Sequence, residues 1–270
     1  MERIFRIYHM NEDVFIPVRL GSNRLPAKHM KEILGKLIIE HLVTRAKQAK
    51  KIRHVIVCTT KLPGDDPLVD FLKNKNIAYF RGSDKDILQR FLDTAKHFGT
   101  DIIIDVEGDK LYTDPIFIDK IITEMEKSDA DWVSGNSSSI EFGSEFGFPH
   151  GIVPAGIRTS ALEKICKLKK TDNTETGYKE FFTSTNLFNC KYIFPESKIS
   201  FSDKMRLTLD YHEDLDLAKK IFSELGADFH FMDIIELFKK KPELLQITEP
   251  AVEKWKKHYE QNVTDYSLKQ

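Results

Sequence analysis

The chain has 270 residues, 41% hydrophobic and 31% charged, which is enough for one large α/β domain with a sizeable core. Its 41 Lys and Arg nearly cancel 42 Asp and Glu, and a formal net charge of −1 excludes a global basic field for nucleic acid. Three scattered cysteines without a C-x-x-C pair, a polar start and no apolar run near the ~20 residues of a membrane span point to a reduced, cytoplasmic protein with no membrane insertion.

A first strand is expected over 13–18, followed by the loop Arg19-Leu20-Gly21-Ser22-Asn23-Arg24-Leu25-Pro26-Ala27-Lys28. Leu37, Ile38, Leu42, Val43, Ala46 and Ala49 then recur at helical spacing. Residues 54–59 form a β-branched run read as a buried parallel strand. Asp66-Pro67 reads as a helix cap followed by proline at the first helical position. A strand at 77–80 and a helix opened by Ser83-Asp84-Lys85-Asp86 come next. A fourth strand at 102–106 ends in Glu107-Gly108-Asp109, and Asp114-Pro115 starts another helix. Strand and helix therefore alternate with short connections through the first ~130 residues, the pattern of a parallel sheet built of βαβ units.

The alternation breaks after Trp132. Residues 134–149 carry Phe142, Phe146 and Phe148 among Ser and Gly, and read as an inserted flap facing substrate or a second subunit. A strand is expected over 151–157, a short helix capped by Ser160, a surface loop over 169–177 and an irregular aromatic stretch over 178–188. Residues 206–209 read as a short strand ending in Asp210, and 212–225 as a helix stopped by Gly226. Helices near 234–240 and 251–260 complete a single domain, with 134–205 as its acceptor-binding or dimerisation elaboration.

In open α/β sheets ligands bind beyond the carboxyl ends of the strands. The basic loop, Asp109 and Asp210 all fall there. The loop is neither a Walker A sequence nor G-x-G-x-x-G, so side-chain cations rather than a glycine nest would hold a polyphosphate. Two strand-end aspartates could hold Mg2+ against it. Each feature also has a plainer reading: the loop as solvated surface, Asp109 as a loop-closing residue, and Asp210 as the cap of the helix near His212.

The stretch Ile16-Pro17-Val18-Arg19-Leu20-Gly21-Ser22-Asn23-Arg24-Leu25-Pro26-Ala27-Lys28 resembles the amino-terminal signature of cytidylyltransferases that make CMP-sugar acids. The likeness to the spore-coat polysaccharide group continues through Asp65-Asp66-Pro67-Leu68, Phe80-Arg81-Gly82-Ser83, Gly108-Asp109 and Arg206-Leu207-Thr208-Leu209-Asp210. The resemblance implies a Rossmann-like nucleotidyltransferase fold, mainly parallel with helices on both faces, and a homodimer. It implies CTP as donor, Mg2+ as cofactor, a small anionic acceptor such as a sugar acid, phosphate or phosphonate, and pyrophosphate release. By position, Arg19, Gly21, Ser22, Arg24 and Lys28 would hold the triphosphate, with Arg81 and Ser83 near the base. Asp109 and Asp210 would be metal ligands, and Arg24, Lys28, Asp109 and Asp210 the catalytic set.

Two departures concern the acceptor. The usual Gly-Asp-x-Pro is Gly108-Asp109-Lys110-Leu111 here, and no histidine occupies 178–188. Lys110, His150, Tyr178, Lys179 and Asn186 are the candidate acceptor contacts. Rival readings are a nucleotide-sugar glycosyltransferase, whose Asp-x-Asp motif Glu107-Gly108-Asp109 only loosely matches, and an inactive nucleotide-binding relative.

Overall fold

The computed structural model describes residues 10–135, 147–202, 205–263 and 265–269. The amino-terminal half runs β1 (Glu12–Pro17), a hairpin of β2 (Glu32–Ile33) and β3 (Lys36–Leu37), α1 (Ile38–Ala46), β4 (His54–Thr60), α2 (Asp66–Asn74), β5 (Ala78–Gly82), α3 (Ile87–Phe98) and β6 (Ile102–Asp105). There follow α4 (Pro115–Lys127), β7 (Trp132–Gly135), β8 (Ala155–Arg158), α5 (Thr159–Leu168), α6 (Glu180–Thr183) and β9 (Cys190–Ile193). The chain ends with α7 (His212–Leu225), α8 (Phe231–Lys240) and α9 (Glu249–Asn262). Seven strands form one sheet in the order β5-β4-β1-β6-β8-β7-β9, and β8 alone opposes the rest.

Period-two alternation sets the layers. Val14, Ile16, Val55, Val57, Ile102 and Ile104 point to one face, where Ile38, Leu42, Leu68, Ile118, Ile221 and Ile234 from α1, α2, α4, α7 and α8 cover them. Phe15, Ile56, Cys58 and Ile103 point to the other, against Phe91 of α3, Ile165 of α5 and Phe181 of α6. Each such fully buried side chain contributes roughly 1.5–3 kcal/mol. The mainly parallel sheet with helices on both faces is the architecture expected from the alternating pattern.

Several local expectations are corrected. β7 runs across the point where the alternation is expected to break, and β9 lies where no element is expected; at four residues each they are too short to show a period. The strand expected from 151 begins only at Ala155, because Gly151 turns the chain at φ +100° with Leu207 O 1.8 Å from where a Cβ would lie. Residues 206–209 are extended but form only a bridge between His150 and Arg206; Leu207 N–H donates to His150 O (3.2 Å) and Leu209 N–H to Asp109 O (2.8 Å). α2 is capped by Asp65 rather than Asp66, and α5 by Arg158 rather than Ser160. Phe148 is buried, while Phe142 and Phe146 lie outside the described residues.

The loop over 169–177 is not a solvated surface connection. Lys169 and Thr174 are buried. The Lys169 ammonium pairs with Asp86, and Thr174 Oγ1 donates to the same carboxylate at 3.0 Å. Asp86 also caps α3 by accepting from Gln89 N–H at 3.1 Å, so the loop is fastened to a helix start 83 residues away in sequence. Replacing Lys169 by Met strands a buried carboxylate, with an expected cost of about 3 kcal/mol. Urea unfolding checks this, and an unchanged midpoint would show that the contact contributes nothing.

Candidate active site

From β1 the chain proceeds to β4 and β5 on one side, then returns across the sheet to β6 on the other. Connections therefore diverge between β1 and β6, opening a crevice at their carboxyl ends. Gly108 permits this convergence. A Cβ there would lie 2.5 Å from Pro17 O and 2.8 Å from His29 Nε2. His29 Nε2–H donates to Gly108 O at 2.9 Å, the tautomer being assigned from that contact. Burial and the neighbouring Lys28 hold the His29 imidazole down to about 3, so it is neutral at physiological pH.

The loop after β1 is fixed at both ends. Leu20 N–H donates to the buried Asp65 carboxylate (2.7 Å), and Ala27 N–H to Leu20 O (3.2 Å). Lys28 opens a short 3-10 turn (Lys28–Met30) and is buried; its Nζ donates to Leu209 O (2.7 Å) and Asp210 Oδ1 (3.3 Å). Arg24, more exposed, donates from Nη2 to the same Oδ1 at 2.9 Å. Arg206 reaches Asp210 Oδ2 at 2.8 Å from the opposite side and binds Asp214 Oδ1 at 3.2 Å. These cations hold the Asp210 carboxyl far below the usual carboxylate range, despite a burial that works against ionisation. Asp210 does not cap α7; Tyr211 is the N-cap, and the Asp214 carboxylate accepts from the Asp210 and Tyr211 N–H groups (2.8 and 2.9 Å).

Asp109 is in the reverse condition. The Leu209 N–H bond to its carbonyl sets it one residue across from Asp210, yet its Oδ1 is buried and has no partner. Burial, then the charges of Asp210 and Glu107, push its carboxyl up to about 6. A buried, unpartnered carboxylate oxygen beside a second carboxylate is a site short of one cation. Among the described residues no cluster of three or more His, Cys, Asp or Glu could hold a metal by itself. Two carboxylates nevertheless fit Mg2+, which takes one or two protein ligands and completes its shell with substrate phosphates and water.

The other expected nucleotide residues are more dispersed. Arg19 is exposed and paired with Glu175, with Nη2 to Oε2 at 2.7 Å. Ser22 Oγ only weakly accepts from Leu25 N–H (3.5 Å), and Gly21 has open space where a Cβ would lie. Arg81 is engaged with Thr60 O (2.8 Å), Leu62 O (2.9 Å) and Asp66 (2.8 Å), two strands over from β1. Ser83 Oγ accepts from Asp86 N–H at 3.2 Å at the start of α3.

Of the candidate acceptor contacts, Lys110 pairs with Glu107 at 2.7 Å, and Tyr178 Oη donates to buried Asp105 at 2.5 Å. Asn186 is an exposed turn residue at φ 55°. Sequence reasoning left Arg206, Asp214, His29 and Glu107 out of the site. The spacing of Arg206, Asp210 and Asp214, four residues apart each time, was the available signal.

The family model described as cytidylyltransferase matches residues 14–221, across all the elements that carry these side chains. The chain belongs to the cytidylyltransferase family. The spore coat polysaccharide biosynthesis protein SpsF of Bacillus subtilis is 23% identical over 87% of this chain and 97% of its own. A cytidylyltransferase structure from Leptospira borgpetersenii superposes with a TM-score of 0.77 at 29% identity, over 88% of this chain and 98% of that one. CMP:2-keto-3-deoxy-manno-octonic acid synthetase complexed with CTP shares the fold, with a TM-score of 0.58 at 15% identity, over 79% of this chain and 99% of the other. Membership of the cytidylyltransferase family makes the protein a CTP-dependent nucleotidyltransferase. Among the described residues no helix is long and apolar enough to cross a membrane.

The contrast between the two aspartates predicts stability changes of opposite sign in this cytidylyltransferase. Asp210→Asn removes the partner of three cations and is expected to cost about 3–5 kcal/mol. Asp109 is raised in the fold, so its ionised form opposes folding above pH 6; Asp109→Asn leaves the protein at least as stable as the parent at pH 8. Thermal unfolding of both variants without added metal checks the pair, and equal losses would refute the difference.

Proposed function

We propose that the protein transfers CMP from CTP to a small anionic acceptor (a sugar acid, phosphate or phosphonate), releases pyrophosphate and requires Mg2+. The observation that carries this reading is the convergence of Arg24 and Lys28 with Asp109 and Asp210 at the divergence between β1 and β6. Arg24 and Lys28 bind the leaving phosphates and stabilise charge developing on pyrophosphate. Arg19, at the loop's exposed end, adds to that grip by exchanging Glu175 for phosphate oxygens. An acceptor oxygen forms the new bond to the α-phosphorus as the anhydride bond to the β-phosphate breaks. When bound, a divalent ion on Asp109 and Asp210 supplies charge neutralisation and lowers the pKa of the attacking group. Arg206, with Lys28 and Arg24, keeps Asp210 ionised, and Asp214 orients it by holding Arg206 and accepting from the Asp210 N–H.

A role in activating a precursor of a surface polysaccharide follows from the likeness to SpsF. The elaboration over 134–205 serves the acceptor and a homodimer in this reading. Edge strand β9 and its neighbours expose Tyr192, Phe194, Leu187 and Ile116, an apolar set suited to a second copy.

A pyrophosphate-release screen of the four nucleoside triphosphates against sugar acids, phosphates and phosphonates tests the reaction. CTP with one acid acceptor should be active, and Asp109→Asn should lower turnover at least ~100-fold while still binding CTP. Turnover by Asp109→Asn at the parent rate would remove the metal role. Because protonated Asp109 cannot take a cation, Mg2+ affinity should fall about tenfold per pH unit below 6. Calorimetric Mg2+ titrations at pH 5 and 7 in the presence of CTP read this directly, and pH-independent affinity would contradict it.

A further inference from the structure

Beside the two aspartates, α9 from the end of the chain closes onto the segment that leads into α6. α9 is fastened to α6: Tyr259 Oη donates to Glu180 Oε1 at 2.9 Å, and Val263 and Tyr259 crowd Gly177, whose Cβ would lie 2.8 Å from Val263 Cγ2. Trp255 of α9 consequently stands over the rim. Its ring lies 5.4 Å from that of His150 and 5.6 Å from the Arg206 guanidinium carbon. α9 falls outside the 14–221 stretch matched by the family model.

Lys179 lies between the two residues, Gly177 and Glu180, that α9 holds. It follows Tyr178, which is pinned to Asp105 at the carboxyl end of β6, and its charge acts on Glu107, Lys110 and His150. Lys110 is already spent on Glu107 at 2.7 Å. Among the described residues the Lys179 ammonium has no hydrogen-bond or ion-pair partner. Burial, opposed by Glu180 and Glu107 and reinforced by Lys110, holds its pKa below the ordinary lysine value. His150 stays neutral because burial and Lys110 hold it down to about 3, so it offers hydrogen bonds without competing for an anion. A half-buried ammonium with no partner, on the segment held by the helix that carries Trp255, is complementary to a small acid with an apolar face.

We propose that Lys179 anchors the anionic group of the acceptor and that Trp255 forms the wall for its carbon skeleton, so that these two residues select the acceptor. This rests on the cytidylyl-transfer reading above. The class is a small carboxylate, phosphate or phosphonate presenting a CH face, as a deoxy sugar acid does.

The test uses the full-length protein saturated with CMP and Mg2+, titrated with inorganic phosphate, methylphosphonate and 3-deoxy-manno-octulosonate, which separate the three kinds of anion. Trp255 emission is the readout, since Trp132 is buried at 3% exposure. At least one anion should bind with a change in emission. Lys179→Met should weaken that binding at least tenfold, and Lys179→Arg should restore most of it. CTP affinity, measured separately by calorimetry, should stay within twofold in both variants. The proposal is overturned if Lys179→Met binds the anions like the parent, if none binds although CTP does, or if CTP affinity falls in parallel. Failure of the parent to bind CTP would instead overturn the cytidylyl-transfer reading, and the acceptor assignment with it.

Discussion

The carboxylate of Asp210 is the point on which the site depends. Three cations from two distant segments meet it: Arg24 and Lys28 from the loop after β1, and Arg206 from the extended segment that crosses the rim. A buried carboxylate with fewer partners would be protonated or displaced, since desolvation alone opposes its charge. With them it becomes a bolt between the first strand of the sheet and the start of α7. Lys28 adds a bond to Leu209 O, so the basic loop is held to the backbone as well as to the charge. The placement of these cations is consequently a property of the fold rather than of a free surface loop.

Satisfaction at Asp210 is set against dissatisfaction at Asp109. The two are neighbours through the Leu209–Asp109 backbone bond, yet one has every oxygen engaged and the other has a buried oxygen with none. A protein optimised for stability alone would place an amide or an apolar group at 109. Retaining a carboxylate there stores unfavourable electrostatics that a substrate-borne cation can relieve, the usual exchange of stability for function at a site. In the proposed reaction the asymmetry would divide labour: Asp210 orients the basic side chains, and Asp109 would supply the open coordination.

Legibility in the sequence followed sequence distance. Asp109 and Asp210 could be picked out because each lies at the end of an apolar run, Arg24 and Lys28 because their basic loop follows the first one, and strand ends on one rim meet by topology. The first four parallel strands and their helices were legible for the same reason. Lys169 was not, because its polarity suggests solvent and its partner Asp86 is 83 residues away. β7 and β9 are too short to carry a period, and 206–209 has a strand's composition without a strand's ladder. The resemblance alone places Arg81 and Ser83 near the base, and here backbone carbonyls, a carboxylate and an amide of the neighbouring turns engage their polar atoms. Propensity cannot reveal which polar groups the tertiary structure consumes.

The departure at Lys110-Leu111 from the usual Gly-Asp-x-Pro now has a physical account. Asp109 is not positioned by residue 111. Gly108 wedged against Pro17 and His29, together with the Leu209 N–H on the Asp109 carbonyl, fix it from before and across. Leu111 turns fully inward to the core, and the following turn closes through Lys110 N–H to Glu107 O (2.8 Å) and Thr113 N–H to Lys110 O (3.1 Å). Neither bond needs a proline, so losing one leaves the carboxylate in place. The charge beside it comes from the variable position 110: Lys110 neutralises Glu107, and among the described residues the Lys179 ammonium has no partner. In the proposed reaction, a charge next to Asp109 thus bears on the acceptor while the contacts that fix Asp109 and Asp210 stay as they are, which is how one fold could keep its donor and vary its acceptor.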